Sequence, residues 1–223
     1  MVIPSLNGRE LLERMLPAVA EQLQAGEIIV VDDGSGDGTS DSLKQCFPAV
    51  LVLRNPKPAG FAAATNAGIR AARFSHICLL NNDMFVAPGF FQHLLRAFLE
   101  MPDLFCASPQ VFLPDGVPRQ ETGKTVVRTS PALDDFPVRC DVPVEGEDRT
   151  CVLYGSSGCS LFDAQRLLFL NGLDESYKPA YVEDLDVGVR AWQQGWPSVF
   201  VAGASVVHRH RSSMSRFGLP SRE

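Results

Sequence analysis

What this chain lacks narrows its chemistry first. No apolar run approaches the roughly 20 residues needed to cross a bilayer, and the longest candidate, Met84 to Met101, is broken by Pro88, His93 and Arg96. The sequence has no basic-then-apolar leader with a small-residue cleavage site, so any membrane contact is read as peripheral. There is no Lys/Arg run interleaved with aromatics and the net charge is -6, which sets nucleic acid aside as the main partner. The six cysteines form no CxxC pair. Cys78, Cys106, Cys151 and Cys159 lie in strand-like apolar runs and read as buried free thiols in a reducing cytosol. A Walker Gly-Lys-Ser/Thr is missing. Gly34-Ser35-Gly36-Asp37-Gly38 does not have GxGxxG spacing, and Asp32, Asp33 and Asp37 would repel a pyrophosphate. That glycine run reads as a turn and helix cap.

What is present is a chain of 223 residues, 45% of them hydrophobic, enough for one well-filled domain or two small ones. It opens directly on Val2-Ile3-Pro4 and closes on a Ser/Arg-rich stretch, 211–223, so both ends read as cut from something longer. The first half alternates between helical and strand patterning. Leu11, Leu12, Met15, Leu16, Val19 and Leu23 repeat with helical spacing, and Glu27 to Val31 follows as a buried strand. A helix from Ser40 to Phe47, a strand from Val50 to Leu53 and an Ala-rich helix from Phe61 to Arg73 come next. A strand from Ile77 to Leu80, a helix from Phe90 to Met101 and a strand from Leu104 to Val111 complete this half. Such alternation predicts an α/β layer with a mostly parallel sheet, which binds ligands at the carboxyl ends of its strands. Asp32, Asp33 and Asp83 stand at such ends.

From 113 to 150 the pattern fails, and the composition there predicts an irregular hairpin or flap. Regular structure resumes with strands at Cys151 to Tyr154 and Ser160 to Phe162, a helix from Ala164 to Leu170, an acidic helix and a strand from Val199 to Val207. The organisation is therefore an α/β half over 1–112, a variable loop over 113–150, and a second half of the same domain over 151–210.

Glu183, Asp184 and Asp186 crowd the start of the acidic helix. Carboxylates favour the positive end of a helix dipole, and Asp186 makes an i,i+4 pair with Arg190. Those bland accounts cover Asp186 well and Glu183 partly, and leave Asp184 as the carboxylate with chemistry to do. Asn81-Asn82-Asp83 supplies one carboxylate at a strand end, sufficient for a divalent cation if a diphosphate completes its shell. His208 and His210 alternate after the last strand and share one face.

Together these segments resemble glycosyltransferase family 2, the inverting family with the GT-A fold. The matching pieces run from Val2-Ile3-Pro4-Ser5-Leu6-Asn7-Gly8 through Glu27 to Ser35, Gly60 to Gly68 and Leu79 to Asp83. They continue with Gly155-Ser156-Ser157-Gly158, Gly172-Leu173-Asp174-Glu175, Glu183 to Asp186 with Arg190, and His208. The pattern is nearest to rhamnosyl- and galactofuranosyltransferase-like members. The resemblance implies a GT-A sheet flanked by helices and a nucleotide pocket built from Pro4, Ser5, Asn7, Asp33, Gly60, Asn66 and Asn82. It implies Asp184 as catalytic base beside Glu183, and Asp83 with His208 as ligands of Mn²⁺ or Mg²⁺. Mn²⁺ is favoured where imidazole is a ligand, because imidazole is softer than carboxylate. The family's DxD motif reads Asn81-Asn82-Asp83 here, so its first carboxylate is missing.

The resemblance also implies a UDP- or dTDP-sugar donor and a glycan or lipid-linked glycan acceptor. It points to a role in cell-surface polysaccharide or glycoconjugate synthesis, in the cytoplasm or at the inner face of the cell membrane. Two alternatives stand beside it. A sugar nucleotidyltransferase would want an Arg/Lys-containing Gly-rich loop after the first strand, where this chain has Pro4-Ser5-Leu6-Asn7-Gly8-Arg9. A catalytically weak domain of the same fold would bind nucleotide or glycan without turnover, which an assay of donor hydrolysis distinguishes.

Overall fold

The computed structural model describes residues 1–23, 25–117, 123–127, 138–178 and 181–209. The expectations for His210 and for the tail 211–223 lie outside the described residues. Three parallel strands, β1 (Val2–Ser5), β2 (Ile29–Asp32) and β3 (Leu51–Arg54), run side by side in that order. They are joined by α1 (Arg9–Gln22) and α2 (Thr39–Cys46). Successive residues of β1 and β2 serve opposite faces of the sheet. Ile3 and Val30 pack with Leu12, Met15, Leu16 and Val19 of α1. Val2, Ile29 and Val31 pack with Ala62, Ala64 and Ile69 of α3 (Phe61–Ala71). Burial on both faces is why this strand reads as an unbroken aliphatic run instead of alternating.

Beyond β1 the sheet continues through a short seam. After β4 (His76–Cys78), Leu79 bridges Val2 in parallel, and the Leu80 N–H donates to the Val2 carbonyl at 3.0 Å. The next strands are β10 (Leu161–Asp163), β6 (Cys106–Phe112), β11 (Ser198–His208) and β5 (Met84–Val86), with β9 (Cys151–Val152) also paired to β11. β10 is antiparallel to both β4 and β6, whereas β11 is parallel to β6 and antiparallel to β5. The parallel character expected of most of the sheet lies in the first three strands, the seam and the β6–β11 pair, with antiparallel neighbours at β10, β5 and β9. Strands from before 112 and after 150 alternate in this second sheet, so 1–112 and 151–210 are interleaved, not side by side.

Helices α4 (Phe90–Glu100), α5 (Ala164–Phe169) and α6 (Glu183–Gln193) complete the layers. In the variable segment, β7 (Thr125–Val127) and β8 (Val138–Cys140) form an antiparallel pair. Strand β5 was not foreseen; three residues between two turns carry no periodicity to read. Cys78, Cys106 and Cys159 are buried, but Cys151 is exposed, because two-residue β9 turns Val152 inward and its neighbour outward. Partway along β11 the pairing with β6 jumps from Val201↔Pro109 to Ser205↔Gln110. Pro109 has no N–H for the ladder, so a bulge falls where a regular strand could not continue.

The close approach of α3 to the sheet depends on Gly68. A Cβ there would stand 2.3 Å from Val2 Cγ1 and 3.1 Å from Val31 Cγ2. Gly68→Ala is expected to lower stability by about 1–3 kcal/mol through overpacking, read as the urea unfolding midpoint. Gly36→Ala is the control: its Cβ would meet nothing within 4 Å, and its shift should stay within about 0.5 kcal/mol.

Candidate active site

The carboxyl ends of β1, β2 and the β4 seam meet at one edge of the sheet, and most of the expected site residues gather there. Asp32 is wholly buried and structural. It accepts from the Ser35 N–H at 2.8 Å and from the Ser40 hydroxyl, with the Arg54 guanidinium 3.6 Å away. Asp33 turns the other way and gathers the next crossover loop. One oxygen accepts from Asn55 Nδ2 at 2.7 Å and the Ala59 N–H at 2.9 Å, the other from the Gly60 N–H at 3.0 Å. Gly60 begins α3 with a φ of +102°, where a side chain would be strained.

The β1–α1 turn is knitted to the same corner. Asn7 takes a left-handed φ of 52°, which Asn tolerates. Its N–H donates to Ser35 Oγ at 2.8 Å and its side-chain oxygen accepts from the Gly36 N–H at 2.9 Å. Pro4 is buried in β1, and Ser5 Oγ accepts from Asn82 Nδ2 at 2.8 Å. Gly8 leaves room for that bond, since a Cβ there would stand 2.1 Å from Asn82 Nδ2.

Asp83 and His208 face each other, with His208 Nε2 3.5 Å from Asp83 Oδ2. Strand pairing makes this happen: His208 lies opposite Met84, and the Arg209 N–H donates to the Asp83 carbonyl at 3.0 Å. No group of three or more His, Cys, Asp and Glu converges on a metal position among the described residues. One carboxylate and one imidazole nonetheless fit a divalent cation that takes its remaining oxygens from a diphosphate and water.

The acidic pair sits at the start of α6. Tyr181 and Val182, with φ of 82° and 74°, lead into the helix in the left-handed region, and such a conformation is costly for a β-branched residue. Glu183 is only 4% exposed. Its Oε1 accepts from the Ser157 hydroxyl at 3.3 Å, while Oε2 has no hydrogen-bond partner among the described residues. Burial raises its pKa. Asp184 is pushed up to about 6, first by burial and then by the Glu183 charge beside it. Asp186 is held by Arg190 at 2.7 Å, as its spacing foretold, and the same guanidinium donates to the carbonyls of Leu170 and Gly172.

Asn66 stands apart. Its amide accepts from the Leu173 N–H at 2.9 Å and donates to the Leu173 carbonyl at 2.8 Å and to Glu175 at 3.0 Å. It therefore clamps the Asn171–Gly172 turn beside a cleft of about 490 Å³. The Gly155–Gly158 turn was noticed in the sequence but given no role. Ser157 is 3% exposed against Glu183, and the Gly158 carbonyl accepts from the Asn81 N–H at 2.8 Å. Only the small-residue composition of that turn hinted at such closeness.

Comparison with known proteins gives one consistent picture. A family profile described as glycosyl transferase family 2 matches residues 1–141. An N-acetylglucosaminyl-diphospho-decaprenol L-rhamnosyltransferase of Mycobacterium tuberculosis (strain CDC 1551 / Oshkosh) is 27% identical, over 92% of this chain and 74% of its own length. A solved structure of GalNAc-T7 with UDP, GalNAc and Mn²⁺ superposes with a TM-score of 0.76 at 19% identity, over 95% of this chain. The mannosyltransferase PcManGT of Pyrobaculum calidifontis, with GDP-Man and Mn²⁺, superposes with a TM-score of 0.68 at 15% identity, also over 95% of this chain. This chain spans 44% of the first of those two structures and 56% of the second. At such identities the superpositions speak for the fold alone.

The raised pKa of Asp184 has a consequence for stability. Between the ordinary aspartate value of 3.8 and about 6 the folded protein binds more protons than the unfolded chain, so stability falls as pH rises through that window. Asp184→Asn removes the charge. It should stabilise the fold by on the order of 1–3 kcal/mol at pH 7.5 and by nothing measurable near pH 4. Thermal melts at the two pH values check this; equal gains at both would contradict the assignment.

Proposed function

Because this chain belongs to glycosyl transferase family 2 and is a nucleotide-sugar-dependent glycosyltransferase, we propose that Asp184 is its catalytic base and that the acceptor is a lipid-linked glycan. The observation that carries the first part is the partly buried Asp184 carboxylate beside Glu183, which the Gly155–Gly158 turn ties to the strand end that bears Asp83. A base with a pKa near 6 is ionised at neutral pH yet basic enough to take a proton in the transition state.

The reaction is a single displacement with inversion. The acceptor hydroxyl attacks the anomeric carbon while Asp184 takes its proton. The bond from that carbon to the diphosphate breaks, and the nucleoside diphosphate leaves with the electron pair. The nucleotide lies against Pro4, Ser5, Asn7 and Asn82. Asp33 shapes this pocket by fixing the loop through Gly60. Asp83 and His208 hold a divalent cation, Mn²⁺ or Mg²⁺, which when bound offsets the charge of the diphosphate. The donor is a UDP- or dTDP-sugar. Support for the acceptor comes from the mycobacterial relative, whose name specifies a diphospho-decaprenol substrate for that protein. No helix among the described residues is long and apolar enough to cross a membrane, which agrees with peripheral access to such a substrate.

A thermal-shift panel of UDP- and dTDP-sugars with Mn²⁺ identifies the donor. Asp83→Ala should abolish the Mn²⁺-dependent part of nucleotide affinity and His208→Ala should reduce it; binding and turnover untouched by EDTA would remove the cation from this scheme. Asp33→Ala should weaken nucleotide binding by about 1–3 kcal/mol in calorimetry. In turnover assays, kcat should fall away below about pH 6. Asp184→Asn should lower it by roughly 10²–10⁴ with donor affinity nearly intact. Near-native turnover by Asp184→Asn alongside an inactive Glu183→Gln would move the base to Glu183.

A further inference from the structure

Adjacent carboxylates at one helix start, Glu183 buried and Asp184 partly buried, are an electrostatic problem, and the turn packed against them bears on it. Ser157 reaches both. Its hydroxyl donates to Glu183 at 3.3 Å. Its backbone N–H favours the ionised form of Asp184, after the Leu185 N–H, which donates to Asp184 Oδ1 at 2.8 Å, and the N–H of Asp184 itself. The turn has little freedom to drift. The Gly158 N–H donates to Ser156 Oγ at 3.2 Å, and the Ser160 N–H closes onto the Ser156 carbonyl at 3.1 Å. A Cβ at Gly155 would stand 2.1 Å from Cys106 Sγ, and one at Gly158 would stand 2.8 Å from Asn81 Nδ2. One short turn is thereby locked between β6, the Asn81–Asp83 strand end and α6.

We propose that Ser157 is a positioning residue that sets how charge is shared between Glu183 and Asp184, its hydroxyl acting on Glu183 and its N–H on Asp184. This rests on the reading of Asp184 as the base. The Ser157 hydroxyl stabilises the Glu183 carboxylate, whose second oxygen is buried without a donor, so without that hydroxyl Glu183 takes up its proton more readily. A neutral Glu183 no longer repels charge on Asp184, and Asp184 becomes a weaker base. Backbone N–H groups also stabilise the pair, those of Glu183 and Tyr181 on Glu183 and those of Leu185 and Asp184 on Asp184, but a change of the Ser157 side chain leaves them in place. Cys106 is coupled to Asp184, but burial raises its pKa so far that it stays a neutral thiol. Asp186 is engaged by Arg190 on the side of the 170–172 loop.

The test follows the two carboxyl groups directly, by ¹³C NMR titration of Asp- and Glu-labelled full chain, which needs no substrate. In Ser157→Ala the Glu183 midpoint should rise and the Asp184 midpoint should fall by roughly half a pH unit or more. Ser157→Thr, which keeps the hydroxyl, should restore both. Glu183→Gln removes the neighbouring charge by another route and should lower the Asp184 midpoint too, so the idea remains testable if Ser157→Ala does not fold. Unmoved midpoints in Ser157→Ala, a Thr variant that behaves like Ala, or an Asp184 midpoint indifferent to Glu183→Gln would each overturn it. Failure of the base assignment looks different: Asp184→Asn would turn over normally whatever the midpoints do.

Discussion

The site depends on the seam where Leu79 meets Val2. Here the three parallel strands of the N-terminal sheet are joined to the mixed sheet beyond, through one parallel bridge and the bond from the Leu80 N–H to the Val2 carbonyl. Neither sheet alone holds the whole set of proposed functional groups. The first contributes Ser5, Asn7 and Asp33, and the second contributes Asp83 and His208. The seam puts both sets at one edge, and the buried bond from Asn82 to Ser5 is the first side-chain contact to cross it. Aliphatic residues on both sides of the seam, all withdrawn from water, explain why it holds without a long ladder.

From that edge the linkage passes outward in steps that are each short and polar. The Asn81 N–H holds the Gly155–Gly158 turn, and that turn holds the carboxylates of α6. Strain accumulates at the end of the line. Tyr181 and Val182 adopt conformations that suit glycine, and Asp184 is kept in surroundings that disfavour its charge. A fold that minimised its own free energy would have neither feature. Both lie at the carboxylate proposed as the base, in keeping with the general opposition between local stability and function.

Much of this was legible from residue order. The apolar periodicities located the helices and nearly all the strands to within a few residues, because burial on one or both faces leaves a regular trace. Asp186 and Arg190 announced their own pairing through helical spacing. What could not be read is what depends on distant chain segments meeting. Asn66 lies in a motif associated with the nucleotide pocket, yet its partners are more than a hundred residues later, at Leu173 and Glu175. Ser157 carries no local signature beyond its small neighbours. Strand β5 is too short to show a period, and the insertion of β10 between β4 and β6 is a matter of topology alone.

The bulge in β11 acts as a ruler. Residues 202–204 have no partners on β6, so everything after them arrives three places later against that strand than it otherwise would. Three residues of strand are roughly 10 Å. In the stretch that follows, His208 lies opposite Met84 of β5, and there it faces Asp83. Length in this part of the molecule is thus not free to vary as it is in surface loops. The bulge lets residues 198–201 keep their places against β6 while residues 206–208 serve β6 on one side and β5 on the other.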